Sequence, residues 1–392
     1  MSLRAAIYDP YLDTLGGGER YCLTVGEILL KNGYQVDIFW SGNQEIISQA
    51  EKRFDLKLQG IKLVPDIFGL VPQKIDLIEE NNLDTLHSQT IPKASYFQKV
   101  NNFIKKIQVL SKYDLVFYLS DGSIPFLFSK KNLLHIQVPF VIRENYLDKI
   151  INFIKVRRIS RVVCNSQFTS RFLNNFPKDK LKIIYPPVDV EKFSSSESKE
   201  NIILSVGRFD NILNAKKQDL LIEAFEKICK NNPHFDWKLV LMGGSHDLPE
   251  NNHYLLHLQH LAKDLPIEFV VNPDFDHLKN IYSKAKIYWH AAGYGVDEYL
   301  HPEETEHFGM TVVEAMDSGA VPLVVAKGGL TEIVTNSKNG FTWQTLDELI
   351  AKTQLLLGTP KDLKELSLKA HESSQIFSKE NFEKQLLDLI RL

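Results

Sequence analysis

The feature that most constrains this chain is the alternation of short runs rich in valine, isoleucine and leucine with longer amphipathic stretches. A first series of strand-like runs covers residues 4–9, 34–40, 60–64, 114–119, 132–137, 161–165 and 182–186. A second series covers residues 201–207, 237–243, 267–271, 286–291 and 321–326. Strands that alternate with helical patterns are typical of βαβ units and parallel sheets. The sequence therefore predicts the α/β class.

The break between the two series of strands is the segment YPPVDVEKFSSSESKEN, residues 185–201. Two prolines followed by a serine-rich, charged stretch are typical of a linker. A chain of 392 residues is long enough for two domains with full cores. We therefore predict two tandem Rossmann-like, doubly wound domains, residues 1–187 and 188–376. Ligands of such sheets bind beyond the carboxyl ends of the strands, so the two domains are expected to face each other across a cleft.

The segment FSKENFEKQLLDLIRL, residues 377–392, is predicted to be a helix. Ser378 is placed to cap its first turn. One apolar stripe follows at helical spacing and consists of Phe382, Leu386, Leu389 and Ile390. Such a stripe must pack on something. The second domain, which precedes it in sequence, is the default partner, and packing back on the first domain is the alternative.

The composition indicates a globular protein and excludes several classes. Apolar residues make up 44% and charged residues 24% of the chain, and the net charge of −3 argues against a nucleic-acid-binding protein. Three widely spaced cysteines suit a reducing compartment and supply neither a disulfide framework nor a metal site. The N-terminus has no signal-peptide core, and no window has 18 consecutive apolar residues. We expect a cytoplasmic protein.

Two basic segments contain no acidic residue. Residues 93–112 carry five lysines with apolar residues at helical spacing, and residues 149–161 carry five lysines and arginines. Basic amphipathic helices can lie on anionic lipid, and they are also found as the solvated face of a packed helix. The sequence leaves both interpretations open, so peripheral attachment to the inner face of the membrane is a second expectation for location.

Several glycines follow predicted strands. Gly17 and Gly18 stand in a cluster after the first strand, and Gly207 and Gly243 end two strands of the second domain. Glycines at such turns let backbone N–H groups approach a ligand, and a helix N-terminus favours an anion. The spacing is not G-x-G-x-x-G, and no acidic residue follows at the expected distance, which disfavours a dinucleotide oxidoreductase. A glycine-rich turn without a ligand is the plain alternative at each position.

Cations cluster at the start of the second domain. Arg208 follows the strand that ends at Gly207, and Lys216 and Lys217 precede a helical pattern. Cations at the carboxyl edge of a parallel sheet are placed to hold a phosphate or diphosphate. The alternative for the lysines is a solvated helix start.

The segment TEHFGMTVVEAMDSG places Glu306 and Glu314 on either side of a glycine turn and an apolar run. Phe308 and Gly309 beside a carboxylate suggest a loop that passes close to a polar ligand. Carboxylates there accept hydrogen bonds from hydroxyl groups. For Glu314 the alternative is a first-turn carboxylate that stabilises the helix dipole.

Taken together, four segments resemble the family-four retaining glycosyltransferases of the GT-B fold. They are GGGER (16–20), VGRF with KKQDLLIEAF (206–225), EHFGMTVVE (306–314) and AMDSGAVPLVVAKGGLTEIV (315–334). GGGER and EHFG are also similar to mannosyltransferases that elongate polyprenyl-linked oligosaccharides. The resemblance implies transfer of a mannose- or glucose-type hexose from a GDP- or UDP-linked donor to a glycan or lipid-linked acceptor. It further implies retention at the anomeric carbon, an acceptor-side N-terminal domain, and neither a metal nor another cofactor.

The resemblance also implies roles for individual residues. Glu306 is expected to bind hydroxyl groups of the transferred sugar, Glu314 the ribose, and Arg208 and Lys216 the diphosphate. Backbone N–H groups of the turn are expected to contact sugar and phosphate, and glycines are expected to line the cleft. These positions are Phe308, Gly309, Met310 and Thr311 for the turn, and Gly17, Gly18, Gly207 and Gly243 for the glycines. Anchoring the alignment on QDLLIEAF favours Lys216 over Lys217.

One family feature is displaced in this chain. Family members carry a histidine two residues before a proline at the cleft edge, and Gln137 occupies that position here. His135 lies two residues earlier on the same strand face, so it is a candidate catalytic residue, with a structural role as the alternative.

Two other functions remain open on the same architecture. One is a nucleotide-sugar epimerase or hydrolase, and the other is a protein that binds sugar nucleotides without catalysis. The spacing of Glu306 and Glu314 favours transfer over the first. The retention of Arg208, Lys216 and both glutamates argues against the second, because binding alone needs no complete leaving-group site.

Overall fold

The computed structural model describes residues 2–69, 96–139, 146–193, 198–210, 215–232, 235–245 and 249–391. The strands are β1 Arg4–Tyr8, β2 Gln35–Phe39, β3 Lys62–Val64, β4 Leu115–Leu119, β5 Lys131–Ile136, β6 Arg161–Cys164, β7 Leu181–Ile183, β8 Ile202–Val206, β9 Lys238–Gly243, β10 Ile267–Val271, β11 Ile287–His290, β12 Val321–Val325 and β13 Phe341–Trp343. The helices are α1 Gly17–Lys31, α2 Ile46–Phe54, α3 Tyr96–Leu110, α4 Tyr146–Arg158, α5 Gln167–Arg171, α6 Gln218–Lys230, α7 Pro249–Leu261, α8 Phe275–Lys284, α9 Met310–Asp317, α10 Leu330–Ile333, α11 Leu346–Gly358, α12 Pro360–Ser374 and α13 Lys379–Arg391.

The strands form two parallel sheets. The first has the order β3-β2-β1-β4-β5-β6-β7, and the second has the order β10-β9-β8-β11-β12-β13. In each sheet the order in which strands are added reverses at one point. These points lie between β1 and β4 and between β8 and β11. Such switch points are where doubly wound sheets bind ligands. The predicted α/β class with two doubly wound domains is confirmed. Strand β13 was missed, because its sequence Phe-Thr-Trp contains none of the valine, isoleucine or leucine that marked the other strands.

The inner strands are apolar on both faces. All residues of β4, β8 and β12 are buried. This pattern follows from helices that cover both sides of a parallel sheet, so strands read as continuous apolar runs rather than alternating ones. The same runs made these strands recognisable in the sequence.

Helix α13 packs on the first sheet. Ser378 Oγ accepts a hydrogen bond from the Asn381 N–H at 3.2 Å, as the predicted cap requires. The apolar stripe lies in the same buried cluster as β1 and α1 and consists of Phe382, Leu386, Leu389 and Ile390. The default expectation that this helix packs on the second domain was therefore wrong, and the alternative describes the structure.

The chain crosses between the sheets twice, and the two crossings run side by side. The Val188 N–H donates to the Phe377 carbonyl at 3.0 Å, and the Lys379 N–H donates to the Val188 carbonyl at 3.2 Å. A pair of backbone hydrogen bonds thus joins the outgoing and returning segments. Among the helices of the described residues, none is long and apolar enough to cross a bilayer.

Candidate functional site

Two glycines at the carboxyl edge of the second sheet allow Lys216 to lie close to the backbone of that edge. A Cβ atom on Gly243 would lie 1.9 Å from the Gly207 carbonyl oxygen, and one on Gly207 would lie 2.5 Å from Lys216 Cγ. The turns after β8 and β9 therefore contact each other through backbone atoms, and the Lys216 side chain packs against Gly207. Glycine is required at both positions by this close approach.

Glu306 is the centre of the charged cluster at this edge. Lys216 Nζ donates to Glu306 Oε2 at 2.7 Å, and His290 Nε2 lies 3.1 Å from the same oxygen. Burial opposes ionisation of this carboxyl, but Lys216 and His290 outweigh it and hold its pKa well below its usual range. Glu306 is therefore a carboxylate that can only accept hydrogen bonds.

Two histidines beside Glu306 were not identified from the sequence. His290 ends β11, and His307 follows Glu306 in the turn. Burial lowers the pKa of His290 and lowers the pKa of His307 to about 4, so both imidazoles are neutral near pH 7. The available signal for His290 was a polar residue at the end of the strand-like run KIYWHA.

Glu314 lies between the two domains. Arg20 of α1 donates to Glu314 Oε1 at 3.0 Å, and the Tyr282 hydroxyl donates to Oε2 at 3.1 Å. Arg20 also bonds Asp189 Oδ2, at 3.2 Å. Burial raises the pKa of the Glu314 carboxyl, although Arg20 works in the opposite direction. Because α9 begins at Met310, Glu314 stands in its second turn, so the helix-dipole alternative does not account for it.

The turn before α9 connects the two glutamates. Gly309 has φ of +113°, and a Cβ there would lie 2.8 Å from Leu330 Cδ2. Met310 closes on the first domain, since a Cβ on Gly17 would lie 3.2 Å from its sulfur. Thr311 Oγ1 accepts a hydrogen bond from the Tyr288 hydroxyl at 2.9 Å. The first glycine cluster and this turn therefore face each other across the cleft.

The other predicted cations take different positions. The Arg208 side chain is 56% exposed, and its Nε lies 3.4 Å from Asp210 Oδ2. Its guanidinium can thus move toward a ligand without breaking a buried contact. Lys217 is the N-cap residue directly before α6 and adopts a left-handed conformation, with φ of +55°. Lys216, not Lys217, contacts Glu306.

His135 is not part of the cluster, which corrects its place as a catalytic candidate. The residue is fully buried on β5, its Nδ1 lies 3.1 Å from the Val163 carbonyl, and its ring stacks on Tyr21 at 4.1 Å. Burial lowers its pKa to about 4. Strand β5 ends at Ile136, so Gln137 extends past the strand. A Cβ on Gly18 would lie 2.3 Å from Gln137 Nε2, which places Gln137 at the cleft edge.

Further contacts fix the second domain against the first. Glu332 accepts hydrogen bonds from the backbone N–H groups of Gln167 at 2.8 Å and Phe168 at 2.6 Å. Phe308 stacks on Tyr185 at 5.6 Å and meets Phe377 edge-on at 5.3 Å. Tyr185 and Phe377 belong to the two crossings, so the turn that carries Glu306 packs directly on them.

Within the described part of the chain, one group of side chains has metal-ligand spacing: His301, Glu303 and Glu304. All three are exposed. They precede the turn at Glu306 in a loop that is anchored by Glu298, whose carboxylate accepts the Gly328 N–H at 2.8 Å. Exposure leaves these three side chains without the buried partners that would fix a metal geometry.

Two family models match the chain, one for each half. Residues 189–372 match the family described as Glycosyl transferases group 1, and residues 15–192 match Glycosyltransferase Family 4. The first match covers all strands of the second sheet, and the second match covers all strands of the first sheet except β1.

Similar proteins carry related names. A GDP-Man:Man(3)GlcNAc(2)-PP-Dol alpha-1,2-mannosyltransferase of Dictyostelium discoideum is 24% identical over 98% of this chain and 83% of its own length. The alpha-1,3/1,6-mannosyltransferase alg2 of Schizosaccharomyces pombe is 30% identical over 47% of this chain and 41% of its own length.

Solved structures share the fold. A glycosyltransferase from Rickettsia africae has a TM-score of 0.74 at 18% identity and covers 100% of this chain and 98% of that one. Anabaena HepE in complex with UDP and glucose has a TM-score of 0.65 at 17% identity, with 98% of both chains covered. Both likenesses therefore extend over the two-sheet fold.

Proposed function

This chain belongs to the glycosyltransferases, with a family-four N-terminal half and a group 1 C-terminal half, and we propose that it moves a hexose from a nucleotide diphosphate sugar to a glycan or lipid-linked acceptor with retention at the anomeric carbon. The observation that carries this proposal is the contact between Lys216 and Glu306 at the carboxyl edge of the second sheet. In this contact a cation lies next to a carboxylate. A site for a sugar joined to a diphosphate needs both, the cation for the phosphate groups and the carboxylate for the sugar hydroxyl groups.

The cations act on the leaving group. Negative charge develops on the nucleotide diphosphate as the bond to the sugar breaks, and Lys216 and Arg208 are placed to stabilise it. Fixed charges in a partly buried site are effective because they need little reorganisation during the reaction. No metal is required by this arrangement, and we propose that transfer proceeds without one.

The two glutamates act as binding groups. Glu306 remains ionised and accepts hydrogen bonds from hydroxyl groups of the hexose. Glu314 has Arg20 and Tyr282 on its two oxygens and lies where ribose hydroxyl groups can take over one of these contacts. A hydrolase would need one protonated carboxylic acid beside the glycosidic oxygen, and the low pKa of Glu306 argues against that role. Acceptor attack on the face from which the nucleotide departs gives retention.

GDP-mannose is the donor to test first. One relative that matches 98% of the chain and another that matches 47% of it are named mannosyltransferases, and the name of the first includes GDP-Man. UDP-glucose is the second donor to test, because a UDP complex exists among proteins of the same fold. At 100 times its Kd a ligand stabilises the folded protein by about 2.7 kcal/mol, so a donor raises the melting temperature measurably.

The experiment combines melting curves with a transfer assay. GDP-mannose and UDP-glucose, and as references GDP and UDP, are each added to the protein with and without EDTA. Transfer is then followed with a short-chain polyprenyl diphosphate oligosaccharide of mannose and N-acetylglucosamine as acceptor. We expect one donor to raise the melting temperature and to yield a lengthened oligosaccharide. Binding without any sugar transfer or release would favour a non-catalytic protein, and loss of transfer in EDTA alone would show a metal requirement.

We further propose that the first domain lies on anionic lipid through a surface made of α3, α4 and the loop between β4 and β5. Six large apolar side chains of α4 are exposed: Tyr146, Leu147, Ile150, Ile151, Phe153 and Ile154. The exposed large apolar side chains among the described residues of α3 are Val100, Phe103 and Ile104. Phe103 contacts Phe126 and Phe128, each at 5.5 Å. Helix α3 therefore shares one apolar surface with the loop between β4 and β5, and Lys155 and Arg158 of α4 lie over the same two rings. Residues 93–95 of the first basic segment lie outside the described residues.

Basic side chains surround this surface. Lys155 lies over the Phe126 ring at 5.3 Å, and Arg158 lies over the Phe128 ring at 5.6 Å. Apolar side chains within a basic rim fit a membrane with anionic headgroups, where each Lys or Arg near the surface adds about 1 kcal/mol. A lipid-linked acceptor would then be presented to the cleft from the membrane.

Vesicle flotation tests the lipid surface. We expect the protein to float with vesicles containing phosphatidylglycerol and much less with phosphatidylcholine alone. The double variant Phe153→Ser, Ile154→Ser should lose about tenfold or more in partitioning, because two exposed apolar side chains no longer enter the bilayer. Leu355→Ser, which changes an exposed apolar residue of α11, is the matched control. Equal flotation of the double variant and the wild type would contradict the proposal.

A further inference from the structure

His290 contacts Glu306, and the family resemblance assigns it no role. It is 3% exposed at the carboxyl end of β11. Its Nε2 lies 3.1 Å from Glu306 Oε2, the same oxygen that accepts from Lys216. Both contacts thus fall on one oxygen of the carboxylate. No described residue donates to the other oxygen, Oε1, and the Glu306 side chain retains 16% exposure.

The backbone indicates which imidazole nitrogen carries the proton. The Ala292 N–H points to His290 Nδ1 at 3.4 Å, so Nδ1 is the acceptor. In a neutral imidazole the other nitrogen then carries the hydrogen. Nε2 accordingly carries the hydrogen; it is buried, lies 3.1 Å from Glu306 Oε2 and makes no hydrogen bond to any other described residue. The turn after β11 fixes this tautomer, because residues 290–292 belong to one buried segment.

We propose that His290 is a positioning residue that holds Glu306 by Oε2, so that Oε1 points to the hydroxyl groups of the bound hexose. This inference rests on the proposed transfer reaction. Lys216 alone cannot set the carboxylate plane, because a lysine ammonium on a flexible stem is a point charge. A planar ring donor fixed by its own backbone contact supplies the missing constraint.

The charges around His290 suit a neutral donor. Glu306 and Lys216 are the charged groups that face it, and the Tyr288 ring lies 6.5 Å from it on the same strand. A neutral imidazole leaves the Lys216–Glu306 pair without net charge. A second cation at this place would instead repel Lys216 and compete with it for the Glu306 carboxylate. The position therefore calls for a donor that does not carry charge.

Two substitutions separate this role from plain packing. Glutamine at position 290 extends an amide N–H to about the place of Nε2, whereas leucine fills the space without a donor. We expect His290→Leu to lower kcat with GDP-mannose or UDP-glucose by about 10- to 100-fold, as for a small misplacement of a reacting group. His290→Gln should retain most of kcat. The Kd values of GDP and UDP, which lack the hexose, should stay unchanged in both variants.

A measurement on the wild-type protein tests the contact without turnover. Long-range nitrogen–proton NMR of histidine-labelled protein, with the His290 signal assigned by its loss in His290→Gln, should show the neutral Nε2–H tautomer near pH 7. The Nε2–H proton signal should move in Glu306→Gln, because its charged acceptor is gone. His277→Leu, at an exposed histidine of α8, is the control for the substitution itself.

The proposal is overturned by an Nδ1–H tautomer, by wild-type kcat in His290→Leu, or by an equal loss of kcat in the leucine and glutamine variants. A wild-type protein that transfers no hexose from either donor defeats the proposed function instead. The NMR result then still decides whether His290 holds Glu306.

Discussion

A glutamine at position 306 is expected to lower kcat for sugar transfer by about 10²–10³-fold, the usual cost of removing one group that acts on the transition state. The substitution keeps the shape of the side chain and removes the negative charge that accepts hydrogen bonds from the hexose. The Kd of GDP or UDP should be no weaker than in the wild type, because neither ligand contains the hexose. In the wild type Lys216 bonds Glu306 Oε2 at 2.7 Å, so the carboxylate competes with the diphosphate for the lysine ammonium group. The variant removes this competition.

Turnover and nucleotide affinity are measured side by side for this variant. Glu365→Gln, at an exposed glutamate of α12, is the matched control and should behave as the wild type. Wild-type kcat in Glu306→Gln would remove Glu306 from the site. A parallel loss of kcat and of GDP affinity would mean that Glu306 supports the nucleotide rather than the sugar.

An alanine at position 243 is expected to damage both stability and binding. Its Cβ would lie 1.9 Å from the carbonyl oxygen and 2.6 Å from the carbonyl carbon of Gly207, and neither backbone atom can move alone. The turns after β8 and β9 are also joined by the Gly207 N–H to the Met242 carbonyl and by the Phe209 N–H to the Gly244 carbonyl, both at 2.9 Å. Overpacking of this kind costs about 1–3 kcal/mol of unfolding free energy.

Separation of these turns displaces Gly207 and, with it, Lys216. We therefore expect Gly243→Ala to melt at a lower temperature and to lose affinity for GDP and UDP. Gly358→Ala is the matched control, because no atom lies within 4 Å of the added Cβ. That change should be neutral or stabilise the protein by about 0.4–1 kcal/mol. Wild-type melting and binding in Gly243→Ala would show that the two turns do not touch in solution.

The sequence was sufficient for the features that depend on local patterns. Buried parallel strands appear as continuous apolar runs, so every strand with five or more residues was located from the sequence. Glycine turns at Gly207 and Gly243 were visible because they end such runs. The family resemblance anchored on QDLLIEAF favoured Lys216 over Lys217 as the diphosphate-binding lysine, and Lys216 is the lysine that contacts Glu306.

Features that depend on the meeting of distant segments were not accessible. His290 and Glu306 are separated by a loop whose path no periodicity reveals. The ion pair between Arg20 and Glu314 joins two domains, and nothing in GGGER indicates which carboxylate its arginine contacts. His135 was proposed because residues two positions apart, such as His135 and Gln137, lie on the same face of a strand. The strand ends before Gln137, however, and position 135 lies inside the core.

Helix α13 makes the first domain depend on the most distant part of the chain. Its residues Phe382 and Leu386 fill the same core as Ile7 of β1, although more than 370 positions separate Ile7 from Phe382. During synthesis on the ribosome, all of β8 to α12 emerges before this helix does. Domains normally fold in the order in which they are made. We therefore expect the domain made first to complete its core last, because Phe382 and Leu386 are translated only after the second domain.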